Sequence, residues 1–178
     1  MRVITGTARG CRLETLSGAD TRPTAERVKE GIFSAIAFEI EGRRVLDLFA
    51  GSGQMGIEAL SRGARSCVFV DANRYAAEVI RRNVTAAKVA DRAEVYNGDA
   101  LSYAARSGTF DLVFLDPPYA AGLLVPCMES LADHVSVGGT VVCECDRDTE
   151  LPETVGTLAL HRSYRYGRIA VHVYRRKG

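Results

Sequence analysis

The sequence predicts a doubly wound α/β sandwich: a mostly parallel seven-stranded sheet with an antiparallel C-terminal strand, preceded by an N-terminal β-hairpin and helix. Three observations predict it. From residue 44 onward, short apolar runs alternate with amphipathic stretches, as strands alternate with the helices that cover them. The run Val45-Leu46-Asp47-Leu48-Phe49 breaks at Gly51-Ser52-Gly53 and opens into Gln54–Leu60, a strand–turn–helix junction. Near the end, two strand-like runs joined through Tyr166-Gly167 read as a hairpin, which lays an antiparallel strand on the sheet.

Each element has its own signal. Residues 2–16 alternate crudely around Gly6 and Gly10, which predicts a hairpin of Arg2–Thr5 against Cys11–Leu16. After a turn-like 17–23, Thr24 is a candidate cap and Glu26 suits a helix N-terminus. Val28, Ile32, Ile36 and Ile40 recur every four residues, predicting an amphipathic helix over 24–40 that ends at Glu41-Gly42-Arg43. Strand 45–49 leads to helix 54–62, closed by Gly63. Strand 67–71 follows, then an Asn73-capped helix to about Lys88, strand 93–97 and a short helix 100–106. Strand 110–115, helix 123–134, a turn at Gly138-Gly139 and strand 140–145 complete the alternation, before tail strands 157–164 and 168–175. We divide the chain into an extension, 1–43, and the sandwich domain, 44–178.

Composition narrows the class. The 178 residues are 47% hydrophobic and 25% charged, which reads as one globular domain with a real core. There is no apolar run long enough to span a bilayer, and the first residues are too polar for a signal peptide. The five cysteines lack a C-x-x-C pair and read as small buried hydrophobes in a reducing cytoplasm. His134, His161 and His172 read as structural or surface residues, and no metal set is expected. Net charge is only +1, but residues 161–178 hold six Arg or Lys and no acid, and residues 1–13 hold three Arg and no acid. Residues 45–160 carry nine basic and sixteen acidic residues. If the basic ends meet in space they form a rim suited to a polyanion.

In such a sheet, ligands sit beyond the carboxyl ends of the strands. Those ends read Gly51-Ser52-Gly53, Asp71, Gly98-Asp99-Ala100 and Asp116-Pro117-Pro118-Tyr119. Gly51-x-Gly53-x-x-Gly56 with Asp71 twenty residues on matches a dinucleotide fingerprint. Asp47 argues against it, because a carboxylate beneath the loop repels a pyrophosphate; 178 residues also leave little room for a second substrate domain. A cationic amino-acid end would answer Asp47, ribose hydroxyls Asp71 and an adenine amine Asp99, which together describe S-adenosylmethionine. The cofactor set is then Asp47, Phe49, Ala50, Gly51, Ser52, Gly53, Asp71, Ala72, Asp99, Ala100 and Asp116. In Asp116-Pro117-Pro118-Tyr119, the prolines hold the backbone extended with carbonyls free to accept. A carboxylate and a carbonyl that each accept one N–H can aim the lone pair of an exocyclic amine at a sulfonium methyl, while Tyr119 stacks on the base. These four are the candidate catalytic residues; the chemistry is positioning and electrostatic fit.

On these residues the chain resembles the Rossmann-like class I SAM-dependent methyltransferases over roughly 44–175. Asp116-Pro117-Pro118-Tyr119 is similar to their amino-methyltransferase motif. Arg2-Val3-Ile4-Thr5-Gly6, Arg9-Gly10-x-Arg12-Leu13, Arg22-Pro23-Thr24-x-x-Arg27-Val28-x-Glu30-x-x-Phe33, the run Leu46–Ala64 and Tyr166-Gly167 resemble the RsmD family. The opening departs mildly, with Ile-Thr-Gly-Thr-Ala-Arg-Gly where the family more often has Gly-Gly and an aromatic before Arg-Gly. The resemblance implies methylation of N2 of one guanine in the helix 31 loop of 16S rRNA, within the 30S subunit or its precursor, by a cytoplasmic monomer. It implies that Asp47, Gly51, Gly53, Asp71 and Asp99 hold the cofactor, that Asp116–Tyr119 hold a flipped guanine, and that Arg22 and Thr24 lie near the site mouth. Arg9, Arg12, Arg165 and Arg168 are candidate phosphate contacts, and Arg27 a candidate at the substrate entrance. Two alternatives stay open: a DNA adenine-N6 methyltransferase, which can use the same tetrapeptide, and a catalytically silent RNA-binding assembly factor on the same fold.

Overall fold

A computed structural model describes residues 1–16, 23–118 and 122–178, the side chains of residues 23 and 24 excepted. Its strands are β1 (Arg44–Leu48), β2 (Ser66–Asp71), β3 (Ala93–Asn97), β4 (Phe110–Leu115), β5 (Val135–Asp146), β6 (Thr154–Val155), β7 (Leu158–Tyr166) and β8 (Ile169–Arg176). They form one sheet in the order β3-β2-β1-β4-β5-β8-β7-β6. β1 to β5 pair in parallel, and β8 runs antiparallel between β5 and β7. β7 therefore runs with the parallel strands, and the β7–β8 turn reaches the same sheet edge as the carboxyl ends of β1 and β4. The two-residue β6 is an eighth strand; so short a run carries no alternation for a sequence to display.

The helices are α1 (Pro23–Ala35), α2 (Gln54–Ser61), α3 (Arg74–Ala86), α4 (Ala100–Ala104) and α5 (Leu124–Leu131). Strand alternation splits the core between two faces. Val45, Phe69, Leu112, Phe114, Val142 and Val171 pack with Val28, Ile32 and Phe33 of α1, Ile57 and Leu60 of α2, and Ile80 and Val84 of α3. Leu46, Leu48, Val70, Val113, Leu115, Val141 and Cys143 pack with Ala100 and Ala104 of α4 and with Cys127, Met128 and Leu131 of α5. All five cysteines are free thiols, and Cys67, Cys127, Cys143 and Cys145 are buried. Among the described residues, no helix is long and apolar enough to cross a membrane.

Several boundaries differ from expectation for local reasons. α1 starts at Pro23, so Thr24 falls in its first turn rather than at its cap, and proline suits that first position. It stops at Ala35; Ile36 and Ile40 stay buried through a turn in which the Glu39 N–H bonds to the Ile36 carbonyl. Gly138-Gly139 lies inside β5 and not in a turn before it. The β4–β5 register jumps there, from Phe110↔Val135 to Leu112↔Thr140, and a Cβ on Gly139 would sit 2.8 Å from the Ser136 carbonyl oxygen. The N-terminal hairpin shrinks to a hook with one bridge, Arg2↔Arg12.

The hook is fastened to α2. Glu58, fully buried, accepts from the Ile4 and Thr5 N–H groups at 2.8 and 3.0 Å, and pairs with Lys29 Nζ at 3.2 Å and Arg62 Nε at 3.0 Å. Ser61 Oγ donates to the Thr5 carbonyl and accepts from the Ala8 N–H. Gly6 is tight against this helix end, where a Cβ would lie 1.9 Å from the Ser61 carbonyl oxygen. The chain then climbs beside α3, where Asn83 joins the Glu14 backbone to the Ser52 carbonyl, and Leu16 reaches the neighbourhood of Gly51.

Candidate active site

The sheet order reverses between β1 and β4, so the ends of these adjacent strands open a crevice. β1 ends in a strained turn. Phe49 has φ of 59°, a left-handed conformation that a bulky residue rarely adopts, and Gly51 and Gly53 follow at 59° and 81°. The third glycine of the motif serves packing: a Cβ on Gly56 would stand 2.4 Å from the Phe69 ring and 2.6 Å from Cys67 Sγ. α2 is thereby drawn down onto β2, and its N-terminus is aimed at the crevice.

Asp47 lies beneath this turn, 3% exposed, and its Oδ2 accepts from the Gly56 N–H at 3.0 Å. That one bond offsets only part of the cost of burial, and the nearby Asp71 charge adds to the cost; its pKa is pushed up to about 8. Asp71, half-buried, spans the turn from the next strand. One oxygen accepts from the Gly51 N–H and the other from the Asn73 N–H, both at 2.9 Å. Asn97 Nδ2 bonds the Asp71 and Ala72 carbonyls, tying the end of β3 to the end of β2. Asp99 is exposed and caps α4 by accepting from the Ser102 N–H at 2.8 Å, which lowers its pKa; Ala100 behind it is buried.

Asp116 follows β4 directly across from this turn. Pro117 after it is buried and Pro118 exposed. Asp116 is exposed by area; desolvation of its carboxyl, then the Glu144 charge, then the Asp47 charge push its pKa well up. Leu115, the last residue of β4, pairs with Cys143; Asp116 follows it, while β5 continues through Glu144. Glu144 continues the face that carries Val142 and Val171, and Asp47 pairs with Phe114 on it. Phe33 of α1 packs on Phe114 with ring centroids 5.6 Å apart, and Tyr164 and Tyr166 pack along the same face. A second cleft, of about 190 Å³, opens on the other side of Pro117 and Pro118; its lining includes Leu123, Leu124, Cys145 and Leu151 and is mostly apolar.

Among the basic residues, Arg27, Arg165 and Arg168 are exposed, and the last two flank the β7–β8 turn at the sheet edge where β1 and β4 end. α1 lies against the hairpin tip, where a Cβ on Gly31 would meet the Tyr166 hydroxyl, and the Arg168 carbonyl accepts from the Arg147 N–H at the end of β5. Arg9 does not join them. It sits on the hook at the last turn of α2, roughly 12 Å of helix from the glycine turn, and Arg12 lies opposite Arg2 on the same hook. Arg22, the Thr24 side chain and Tyr119 fall outside the described residues. Sequence reasoning missed Glu144 and Asn97. The signal for Glu144 was the one that singled out Asp47, a carboxylate inside an apolar strand.

The doubly wound sheet, its antiparallel β8 and the paired strand-end turns define a class I methyltransferase. The solved structure of Escherichia coli yhhF superimposes with a TM-score of 0.89 at 33% identity, covering 99% of this chain and 98% of that one. Bacillus subtilis YlbH is 42% identical over 100% of both chains. The Ribosomal RNA small subunit methyltransferase D of Escherichia coli K12 is 34% identical over 99% of this chain and 90% of its own. The chain belongs to the RsmD family, described as Conserved hypothetical protein 95, whose model matches residues 1–175.

Proposed function

We propose that this protein transfers a methyl group from S-adenosylmethionine to the exocyclic N2 of one guanine of 16S rRNA, guanine 966 in the usual numbering. It would act as a cytoplasmic monomer on the 30S subunit or its assembly intermediate, with residues 44–178 as the catalytic domain and residues 1–43 as its extension. One observation carries the reading: the Asp71-braced glycine turn after β1 and the Asp116-Pro117-Pro118 turn after β4 end adjacent strands at the reversal of the sheet. The names of relatives such as the Escherichia coli enzyme support ribosomal RNA as the substrate class.

The donor set fits the cofactor. A carboxylate held near neutrality by burial, as Asp47 is, gains from a cationic amino group. Asp71 keeps lone pairs for ribose hydroxyls while bracing Gly51, and the open backbone at Gly51 admits close approach. When bound, S-adenosylmethionine supplies an electrophilic methyl on a sulfonium. The residues after β4 position the amine: Asp116 and a proline carbonyl accept its two N–H groups, and Tyr119 stacks on the base. Arg27, Arg165 and Arg168 take phosphates at the rim, Arg22 and Thr24 stand at the mouth, and Arg9 and Arg12 reach a more distant RNA segment. Asp116→Ala is expected to cut turnover on undermethylated 30S particles by about 10²–10³-fold, while calorimetry still detects cofactor binding. Label confined to adenine of duplex DNA would overturn the reading, as would turnover equal to wild type in the variant.

A further inference from the structure

We infer that the apolar cleft beside Pro118, lined in part by the acidic loop after β5, docks a basic peptide segment with one apolar anchor side chain, carried by a protein of the ribosomal particle. The inference rests on the reading above and adds a second partner within the same substrate. The cleft holds about 190 Å³. Sites that enclose a whole small molecule run to roughly 300–1,000 Å³. This one fits a single large side chain. Pro118, Leu123 and Leu124 line it from the end of β4 and the start of α5, and Glu150 and Leu151 from the loop between β5 and β6.

Charge selects the occupant. Residues 146–153 hold four acids and one base. Asp148, Glu150 and Glu153 are exposed, and none of them belongs to an ion pair among the described residues. The loop is held in shape: the Asp148 N–H donates to Asp146 Oδ1, and the Thr149 N–H to the Asp146 carbonyl, both at 3.0 Å. A phosphate backbone brought to such a mouth is repelled, whereas lysines and arginines are attracted. The base of the loop is Arg147, whose N–H donates to the Arg168 carbonyl at 2.7 Å. That bond ties the acidic loop to the basic β7–β8 turn, where Arg165 and Arg168 are the proposed phosphate contacts. RNA and a polycation then dock side by side, which is what a basic protein extension lying along RNA presents. The anchor in the cleft fixes the peptide's position, and the acids around it set the charge it must carry.

The test compares binding of labelled protein to protein-free 16S RNA and to particles reconstituted from that RNA with small-subunit proteins, by fluorescence anisotropy at fixed salt. The double change Asp148→Lys and Glu150→Lys reverses two exposed charges outside the catalytic turn. It should weaken binding to the particles by about 10-fold and leave binding to protein-free RNA unchanged or tighter. The milder pair Asp148→Asn and Glu150→Gln should weaken particle binding alone, by about 3-fold, and decides the matter if the charge-reversed protein fails to fold. Leu151→Ala removes part of the apolar lining and should likewise weaken only the particle complex. Tighter binding of the charge-reversed protein to both substrates would show that RNA occupies the loop and overturn the inference. Equal weakening on both, or wild-type affinity for particles in the charge variants or in Leu151→Ala, would overturn it too. Wild-type protein that binds neither substrate, or binds particles but methylates no guanine in them, would instead overturn the functional reading beneath it.

Discussion

Asp47 and Glu58 are buried carboxylates eleven residues apart in one strand–turn–helix unit, and they have opposite fates. For Glu58, burial opposes ionisation, but the Ile4 N–H, the Lys29 charge, Arg62 and the Thr5 N–H outweigh it and hold the pKa below its ordinary value. Lys29 is drawn down by its own burial despite Glu58, so several donors rather than one lysine keep Glu58 charged. Among the described residues Asp47 has one hydrogen-bond partner, the Gly56 N–H, and its pKa rises to about 8. The number of donors separates the two roles. A buried acid with four partners fastens structure; one with a single partner, beneath the glycine turn, suits the cation proposed for it.

The largest effect should come from breaking the satisfied site. Glu58→Ala leaves the Lys29 ammonium buried without its carboxylate and orphans the Ile4 and Thr5 N–H groups. We expect a loss of about 3–5 kcal/mol in urea denaturation, the range for removing one partner of a buried pair. Amide exchange at Ile4 and Thr5 should quicken in parallel. Adding Lys29→Met should recover part of the loss, because the stranded charge goes with it. A single variant as stable as wild type would show that the hook is not what Glu58 holds.

The fold was legible because its main signals are repetitive. Four-residue recurrence at Val28, Ile32, Ile36 and Ile40 gave the buried face of the first helix, although only the part to Ala35 is α-helical; burial sets the period, while the backbone bonding of the last turn is a local matter. Gly138-Gly139 misled, because paired glycines suit a turn and a bulge equally, and only the β4 partner decides which. The strand-end residues of the site were legible as acids and glycines at breaks in apolar runs. The partners of Asp47 and Asp71 were not, since each is a backbone N–H, which a sequence does not distinguish from any other. Glu144 escaped because its charge bears on Asp116 from another strand, which a sequence does not show. The hook's attachment through Glu58 and Ser61 joins positions more than fifty residues apart and leaves no periodic trace.

The contrast sharpens with pH. The folded-state pKa of Asp47 lies above its ordinary 3.8, so the fold favours the protonated group. Its contribution is full below that ordinary value and is lost as pH climbs to about 8. Without cofactor, wild-type protein should lose on the order of a few kcal/mol relative to Asp47→Asn between about pH 5 and 8, read from denaturation midpoints across that range. Glu58 keeps its charge over the same window and should add no slope there. If Asp47 meets a cationic amino group, S-adenosylmethionine affinity should rise with pH in the wild type and stay flat in the asparagine variant. Parallel stability curves would remove the buried ionisation from the account.

Asp71 stands between the two extremes and gives the smallest effect. It is half-buried, and both oxygens are engaged, yet with backbone N–H groups at 2.9 Å and with no cationic partner among the described residues. Water can take over those N–H groups when the carboxylate is removed, so the stability cost of Asp71→Ala should be modest, about 1 kcal/mol. Cofactor binding should suffer more, by about 1–3 kcal/mol, because the variant loses acceptors for the ribose and the brace on Gly51 together. Asp71→Asn separates these contributions. Its single oxygen can still brace the Gly51 N–H while offering the ribose an amide, so its affinity should lie between alanine and wild type in calorimetric titrations. An asparagine variant as weak as alanine would mean that the charge, and not the brace, is what binding uses; equal affinity in all three would take Asp71 out of the site.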